Sequence, residues 1–241
     1  MSRRFERRQA IRARLQRLHE LAPEDRILPI TVEGVSLRMY LPDPDDHIPN
    51  RIVRRASLYA DKELQRIASL VGTGRSILDI GANIGNHAVY FGTLMQARRI
   101  VCYEPQPDIV PILERNIALN DIPATVRPVA LGEVTGTMAM SDTREGNTGA
   151  TGFAPDETGT VQAVRLDDEG HDAVDFIKID VEGAEPAVIA GGMELIRRDR
   201  PMIMAEVLTE DVRRRIDEML LPLGYGVKNI NEFNVFYTPQ G

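Results

Sequence analysis

A chain of 241 residues with 43% hydrophobic and 27% charged residues has the composition of a soluble globular protein and is long enough for one α/β domain with a large core. A single cysteine, Cys102, excludes an intramolecular disulfide, four scattered histidines make no zinc-type cluster, and no apolar run reaches the roughly 18–20 residues of a membrane span. The net charge of −7 is uneven: residues 1–20 hold seven arginines against two glutamates, a local +5 that leaves −12 for the rest, and so acidic a body argues against nucleic acid as a partner.

In the Arg-rich start, Ile11, Leu15, Leu18 and Ala22 fall at i, i+4, i+7 and i+11, which predicts an amphipathic helix ending before Pro23. Its arginines form either a solvated face or a contact with an anionic membrane or partner protein. The strand-like runs 28–32 and 35–41, joined by Glu33-Gly34, predict a hairpin, and the Pro- and Asp-rich stretch 42–50 reads as a loop. Leu64, Ile67, Ala68 and Val71 give a second helix that stops at Gly72. Residues 1–55 thus read as a helix-and-hairpin extension to a domain of residues 56–241. The absence of a leader-like segment fits a cytoplasmic protein, and the oligomeric state stays open, a homodimer included.

From Ser76 the rhythm changes. Short β-branched runs at 77–80, 100–103, 125–129, 174–179 and 202–205 are apolar almost throughout, as expected of strands buried on both faces of a parallel sheet. Helical stretches at 86–95, 107–120 and 186–197 lie between several of them. Another, 210–221, follows with Thr209 as its N-cap. Residues 136–168 interrupt the alternation with extra strands, 137–140 and 161–166, around a polar loop. The end, 225–229 and 234–237, reads as a hairpin. The fold class is therefore α/β, doubly wound and Rossmann-like.

The segment Leu78-Asp79-Ile80-Gly81-Ala82-Asn83-Ile84-Gly85-Asn86 runs from a strand into a helix, where small residues let a ligand approach the backbone and the helix start offers free N–H groups. The next strand ends Tyr103-Glu104-Pro105, placing an acid where doubly wound folds hold ribose hydroxyls. A dinucleotide fingerprint would need G-x-G-x-x-G. Gly81-x-Asn83-x-Gly85 after Asp79 has instead the D-x-G-x-(G/N)-x-G form of class I methyltransferases, in which the Asp79 carboxylate suits an ammonium or sulfonium. Methyl-donor binding is therefore preferred over a nicotinamide cofactor.

Asp175-Phe176-Ile177-Lys178-Ile179-Asp180-Val181-Glu182-Gly183-Ala184-Glu185 completes the pattern. With the glycine loop, "YEPQP", "NIALND", "VALGE" and "RLDD" in order, residues 61–207 closely resemble the FkbM-type family of S-adenosylmethionine-dependent methyltransferases. The resemblance implies O-methylation with S-adenosylmethionine as the cofactor, on a seven-stranded, mostly parallel sheet with helices on both faces. The expected strand order is 3-2-1-4-5-7-6, with the last strand antiparallel. It further implies that Gly81, Ala82, Asn83 and Gly85 cradle the methionine part and Glu104 the ribose, with Ala130 and Leu131 against the adenine. Asp79, Asn86 and Pro105 complete the cofactor set. The acceptor is not specified, since the family acts on macrolides, sugars and lipids.

Methyl transfer is an in-line displacement, so the protein must align a hydroxyl and remove its proton. Asp180, at the end of the fourth core strand, is the leading base, with Lys178 deeper on the same face to hold it ionised. Glu182 is the alternative, on the same side if the strand continues, with Val181 pointing away. Glu185 reads as a helix-start acid. Glu206, at the end of the fifth strand, and Asn147, in the lid-like loop Gly146-Asn147-Thr148-Gly149, are acceptor-side candidates together with His87. The resemblance lends His87 no role, its pattern having an aromatic or small polar residue there. No metal is expected, because the fifth strand lacks the Asp-Asn pair of metal-dependent catechol-type enzymes. The acceptor is read as a sugar, glycan or secondary-metabolite hydroxyl. The competing readings are a non-catalytic cofactor-binding regulatory or scaffolding subunit and a nicotinamide-dependent oxidoreductase.

Overall fold

The computed structural model describes residues 3–140, 147, 151–156 and 158–240. Its core strands are apolar on both sides, and the period-two geometry of a strand sorts their side chains into two layers. In β3 (Ser76–Ile80), Ile77 packs into one layer while Leu78 and Ile80 enter the other. Likewise Ile100 and Cys102 oppose Val101 and Tyr103 in β4 (Arg99–Tyr103), and Phe176 opposes Ile177 and Ile179 in β10 (Phe176–Ile179). A sheet with two apolar faces must be covered on both, which the intervening helices do.

The remaining members of this sheet are β5 (Ala124–Arg127), β11 (Met202–Glu206), β12 (Tyr225–Asn229) and β13 (Asn234–Pro239). Their order is β12-β13-β11-β10-β3-β4-β5, with β13 antiparallel to both its neighbours and the β5-β4-β3-β10-β11 stretch parallel. Counted from β3 along the chain, that is the expected 3-2-1-4-5-7-6. Helices α4 (Asn86–Thr93), α5 (Val110–Leu119), α6 (Glu185–Gly191), α7 (Met193–Asp199) and α8 (Glu210–Leu220) connect the strands, and the Thr209 hydroxyl accepts the Val212 N–H as the N-cap of α8. A smaller sheet of order β6-β9-β7-β8 is built from β6 (Ala130–Leu131), β7 (Gly136–Met140), β8 (Phe153–Pro155) and β9 (Val161–Val164).

The N-terminal part comprises α1 (Arg3–Glu20), the antiparallel hairpin β1 (Ile27–Val32) and β2 (Val35–Tyr40), α2 (His47–Arg55) and α3 (Asp61–Val71). It is not detached: Leu18, Leu28, Ile30, Met39 and Ile52 are buried in the same apolar layer as Ile77 and Phe176. The open edge of β2 is satisfied by side chains. Asn116 and Asn120, one turn apart at α5, trade hydrogen bonds with the backbone of Tyr40 and Arg38 at 2.6–3.2 Å. Among the described residues no helix is long and apolar enough to cross a membrane.

Three expectations differ from the structure. The stretch 42–50 holds the start of α2, because Pro49 falls in the first turn, where its missing N–H has no intrahelical partner to lose. The helix expected over 186–197 is broken at Gly192, because the backbone there presses on its surroundings. A Cβ on Gly191 would lie 2.0 Å from the Gly132 carbonyl oxygen, and one on Gly192 would lie 2.8 Å from Leu166. The third core strand ends at Arg127, and Ala130 and Leu131 leave it to pair with Ala163 and Val164 in the smaller sheet.

Candidate functional site

The carboxyl ends of β3, β4, β10 and β11 open on one cavity of about 270 Å³. Its first wall is the turn after β3. Gly81 and Ala82 donate their N–H groups to the Tyr103 carbonyl, both at 3.0 Å, which folds the turn against the end of β4. Gly81 has φ +74, and a Cβ on it would lie 1.8 Å from the carbonyl oxygen of Asp180. The glycine motif and the acidic motif thus meet in space, and their contact demands glycine. The Asn83 N–H donates to Glu104 Oε2 at 2.9 Å and the Gln106 N–H to Glu104 Oε1 at 2.9 Å. Burial pushes the Glu104 carboxyl above the usual range, and these two donors work against it. Ala82, Asn83, Pro105, Ala130 and Leu131 all line the cavity, whereas Gly85 lies behind it as the left-handed N-cap of α4.

Two of the expected cofactor residues have other partners. The sequence reading put Asp79 beside a bound cation; the structure gives it a resident one. Asp79 and Lys178 are register partners on adjacent strands, both almost wholly buried, with Nζ 3.4 Å from Asp79 Oδ1. Asp79 does not line the cavity. Asn86 does, but its amide is committed to the backbone of Tyr59, its Oδ1 accepting the N–H at 2.8 Å and its Nδ2 donating to the carbonyl at 3.0 Å.

Lys178 Nζ is also 3.5 Å from Asp180 Oδ2 and donates to the Gly81 carbonyl at 2.7 Å. Burial alone would depress this ammonium, but the Asp180 and Asp79 carboxylates outweigh it and hold its pKa above the usual lysine value. The strand does not continue through Glu182 as alternation required. It ends at Ile179 and turns, with Glu182 at φ +55 and Gly183 at φ +103, so Val181 faces the cavity beside Asp180 and Glu182 instead of pointing away. Glu185 buckles this turn: its Oε1 accepts the N–H groups of Val181 and Gly183 at 3.0 and 3.1 Å.

Glu206 comes from the end of β11. One carboxylate oxygen each from Asp180, Glu182 and Glu206 lies within 4.8 Å of the others. Three such groups cannot all be charged cheaply. Burial, then repulsion from Asp180, Glu182 and Glu185, pushes the Glu206 pKa up to about 8, so the cluster carries a proton at neutral pH. A divalent cation would suit the same spacing.

The opposite wall comes from segments whose composition carried no motif. His47 and Ile48 of α2 and Tyr59, which precedes α3, line the cavity, the two rings meeting edge to face. His87 and Asn147 line it as well; Gly146, Thr148 and Gly149, the rest of the loop read as a lid, lie outside the described residues. Burial pushes the His87 imidazole pKa down to about 3, assisted by the Lys178 charge, so the ring is neutral.

The sequence model of the methyltransferase FkbM domain matches residues 79–225, more than half of the chain. Among characterised proteins, "Methyltransferase sdnD" of Sordaria araneosa is 25% identical over 193 residues, covering 63% of this chain and 73% of that one. "2-O-methyltransferase NoeI" of Sinorhizobium fredii is 29% identical over 169 residues, covering 61% and 67%. Of solved structures, a methyltransferase FkbM from Methylobacillus flagellatus aligns with TM-score 0.49 and 18% identity over 68% of this chain. The alignment spans 43% of that longer protein.

Proposed function

The chain belongs to the FkbM methyltransferase family, and from that premise we propose that it is an S-adenosylmethionine-dependent O-methyltransferase acting on a hydroxyl of a sugar, glycan or secondary metabolite. The observation that carries the reading is the convergence in one cavity of a nucleoside-type end and an acidic end. At the first, Glu104 retains lone pairs for ribose hydroxyls beyond the two N–H groups that it accepts, the turn from Gly81 to Asn83 meets the amino-acid part, and Ala130 and Leu131 offer an apolar slot for a planar base. These residues fit S-adenosylmethionine, which when bound supplies a methyl group activated by a positive sulfur.

The chain's own residues do the rest. Asp180, exposed to the cavity and braced by Lys178, accepts the proton of the acceptor hydroxyl as the new C–O bond forms. Glu206, protonated at neutral pH, donates a hydrogen bond within the acid cluster and keeps it one negative charge lower; Glu182 and Asn147 bind further acceptor groups, and no metal takes part. Asp79 serves this site indirectly, through Lys178. Residues 56–241 form the catalytic domain, and residues 1–55 add to it the α2 part of the acceptor wall. Similarity to the Sinorhizobium fredii 2-O-methyltransferase supports transfer to oxygen.

Titration with S-adenosylhomocysteine and with NAD, followed by methyl-donor turnover against sugar, lipid and polyketide hydroxyls with and without EDTA, tests this reading. It expects tight S-adenosylhomocysteine binding and EDTA-insensitive turnover on a hydroxylated acceptor. Binding without any turnover would favour a regulatory subunit, and preference for NAD would refute the proposal.

A further inference from the structure

At the edge of the cavity lies a histidine–carboxylate contact that the mechanism above leaves unused. His87 Nε2 is buried without a hydrogen-bond partner, and the nearest acid is Glu63 of α3, whose Oε1 is 4.0 Å away. Both side chains are mostly buried, at 12% and 14% exposure. The other Glu63 oxygen, Oε2, accepts the side-chain amides of Asn231, in the turn between β12 and β13, and, at 3.1 Å, of Asn234, the first residue of β13. The orientation of Asn231 is not free. Its Oδ1 already accepts the N–H groups of Phe233 and Asn234 at 2.8 and 2.7 Å, so its NH₂ must face Glu63. Two amide donors therefore fix Oε2 as an acceptor and leave Oε1 turned to the imidazole.

We propose that Glu63 is a positioning residue that holds His87 as the Nε2–H tautomer, which leaves Nδ1 of this cavity-lining ring as a hydrogen-bond acceptor for a hydroxyl of the methyl acceptor. The role of Nδ1 rests on the O-methylation reading; the tautomer does not. A neutral ring is the precondition, and the depressed His87 pKa supplies it. Glu63 Oε1 lies 4.0 Å from the ring's unpartnered buried nitrogen, a gap that a small side-chain shift would turn into a hydrogen bond. Glu63, Asn231 and Asn234 all fall outside residues 79–225, so the device is built from the flanks of the family-matched stretch. It would let the flanks of a shared catalytic core set which hydroxylated acceptor is held.

The test is the tautomer itself, read by two-bond ¹H–¹⁵N correlation on protein labelled with ¹⁵N-histidine, with His87→Ala assigning the ring among the four histidines. At pH 7 the wild type should show a protonated Nε2 and an unprotonated Nδ1. In Glu63→Gln the Asn231 and Asn234 amides claim the new carbonyl oxygen, which turns the Gln NH₂ to the imidazole. The ring should then switch to Nδ1–H, with an unchanged melting temperature and unchanged S-adenosylhomocysteine affinity. On any acceptor that turns over, the variant should lose roughly 2- to 12-fold in kcat/KM through KM, the worth of one hydrogen bond. A wild-type ring in the Nδ1–H or cationic form would overturn the proposal, as would a Glu63→Gln ring that keeps the wild-type tautomer. If the variant fails to fold, a wild-type ring in the Nδ1–H or cationic form still overturns the proposal. Failure of the methylation reading would show separately, as absence of turnover with the expected tautomer intact.

Discussion

Replacing Lys178 by methionine keeps the length and much of the volume of the side chain while deleting its charge. In the folded protein this leaves Asp79, fully buried, with no counter-ion 3.4 Å away. It also strips the Gly81 carbonyl of its 2.7 Å donor. Removing one partner of a buried pair costs about 3–5 kcal/mol, since the survivor is neither solvated nor compensated. With about 2–4 °C of melting temperature per kcal/mol for a chain of this size, the expected loss is roughly 6–20 °C at pH 8. The pH dependence identifies the cause. Burial raises the Asp79 pKa, and without the lysine the main opposition to that effect is gone, so Asp79 takes up a proton as the pH falls and sheds the penalty. The gap to wild type should therefore narrow from pH 8 to pH 5. Adding Asp79→Asn to Lys178→Met should recover most of the loss at pH 8, because no charge is then stranded. Differential scanning fluorimetry of the wild type, Lys178→Met, Asp79→Asn and the double mutant across that range decides it. A loss below about 2 °C, a pH-independent loss, or a double mutant as unstable as the summed singles would refute the argument.

Three further outcomes follow from the same site. Asp180→Asn should lower the single-turnover rate by at least ~100-fold with S-adenosylhomocysteine affinity within a few-fold, as expected of a proton acceptor; collapse of cofactor binding with the rate intact would make Asp180 a cofactor ligand instead. Glu104→Ala should weaken S-adenosylhomocysteine by about 10- to 150-fold by isothermal titration, through lost charge-assisted hydrogen bonds, and unchanged affinity would contradict the ribose assignment. Because the folded-state pKa of Glu206 is about 8 against 4.5 unfolded, its protonated form stabilises the fold fully below pH 4.5, and that contribution is lost as the pH rises to 8. Glu206→Gln should flatten this decline in chemical denaturation; an unaltered slope would show that the cluster holds no extra proton.

The parallel sheet was legible because its strands are buried on both faces, so their composition announced them without help from tertiary context. The order of strands followed from the resemblance and from the closing hairpin after α8. The two ends of the cavity were legible for a different reason: Gly81, Glu104 and Asp180 each sit at a strand's carboxyl end, a place that the linear sequence marks. What the sequence could not carry was which of these groups touch. Asp79 read as a ligand of a bound cation because its register opposite Lys178 is a property of strand pairing, not of either motif. Glu182 reached the cavity by a left-handed turn, although the alternation argument that placed it there failed once the strand ended at Ile179.

The acceptor wall was the least legible part, and the reason is topological. His47, Tyr59 and, behind them, Glu63 come from ordinary loop and helix sequence, and two of the three are placed by residues far along the chain: Tyr59 by Asn86, Glu63 by Asn231 and Asn234. No periodicity links a helix near residue 60 to a hairpin turn near 230. The proton on Glu206 is of the same kind. Its own segment, Ala205-Glu206-Val207, holds no second acid, and its protonation arises only because β10 and β11 are neighbours and bring Asp180 and Glu182 alongside. Charge at this site is thus set by strand order: with β11 paired to β10, Glu206 lies beside Asp180 and Glu182 and holds a proton that its own segment gives no reason to expect.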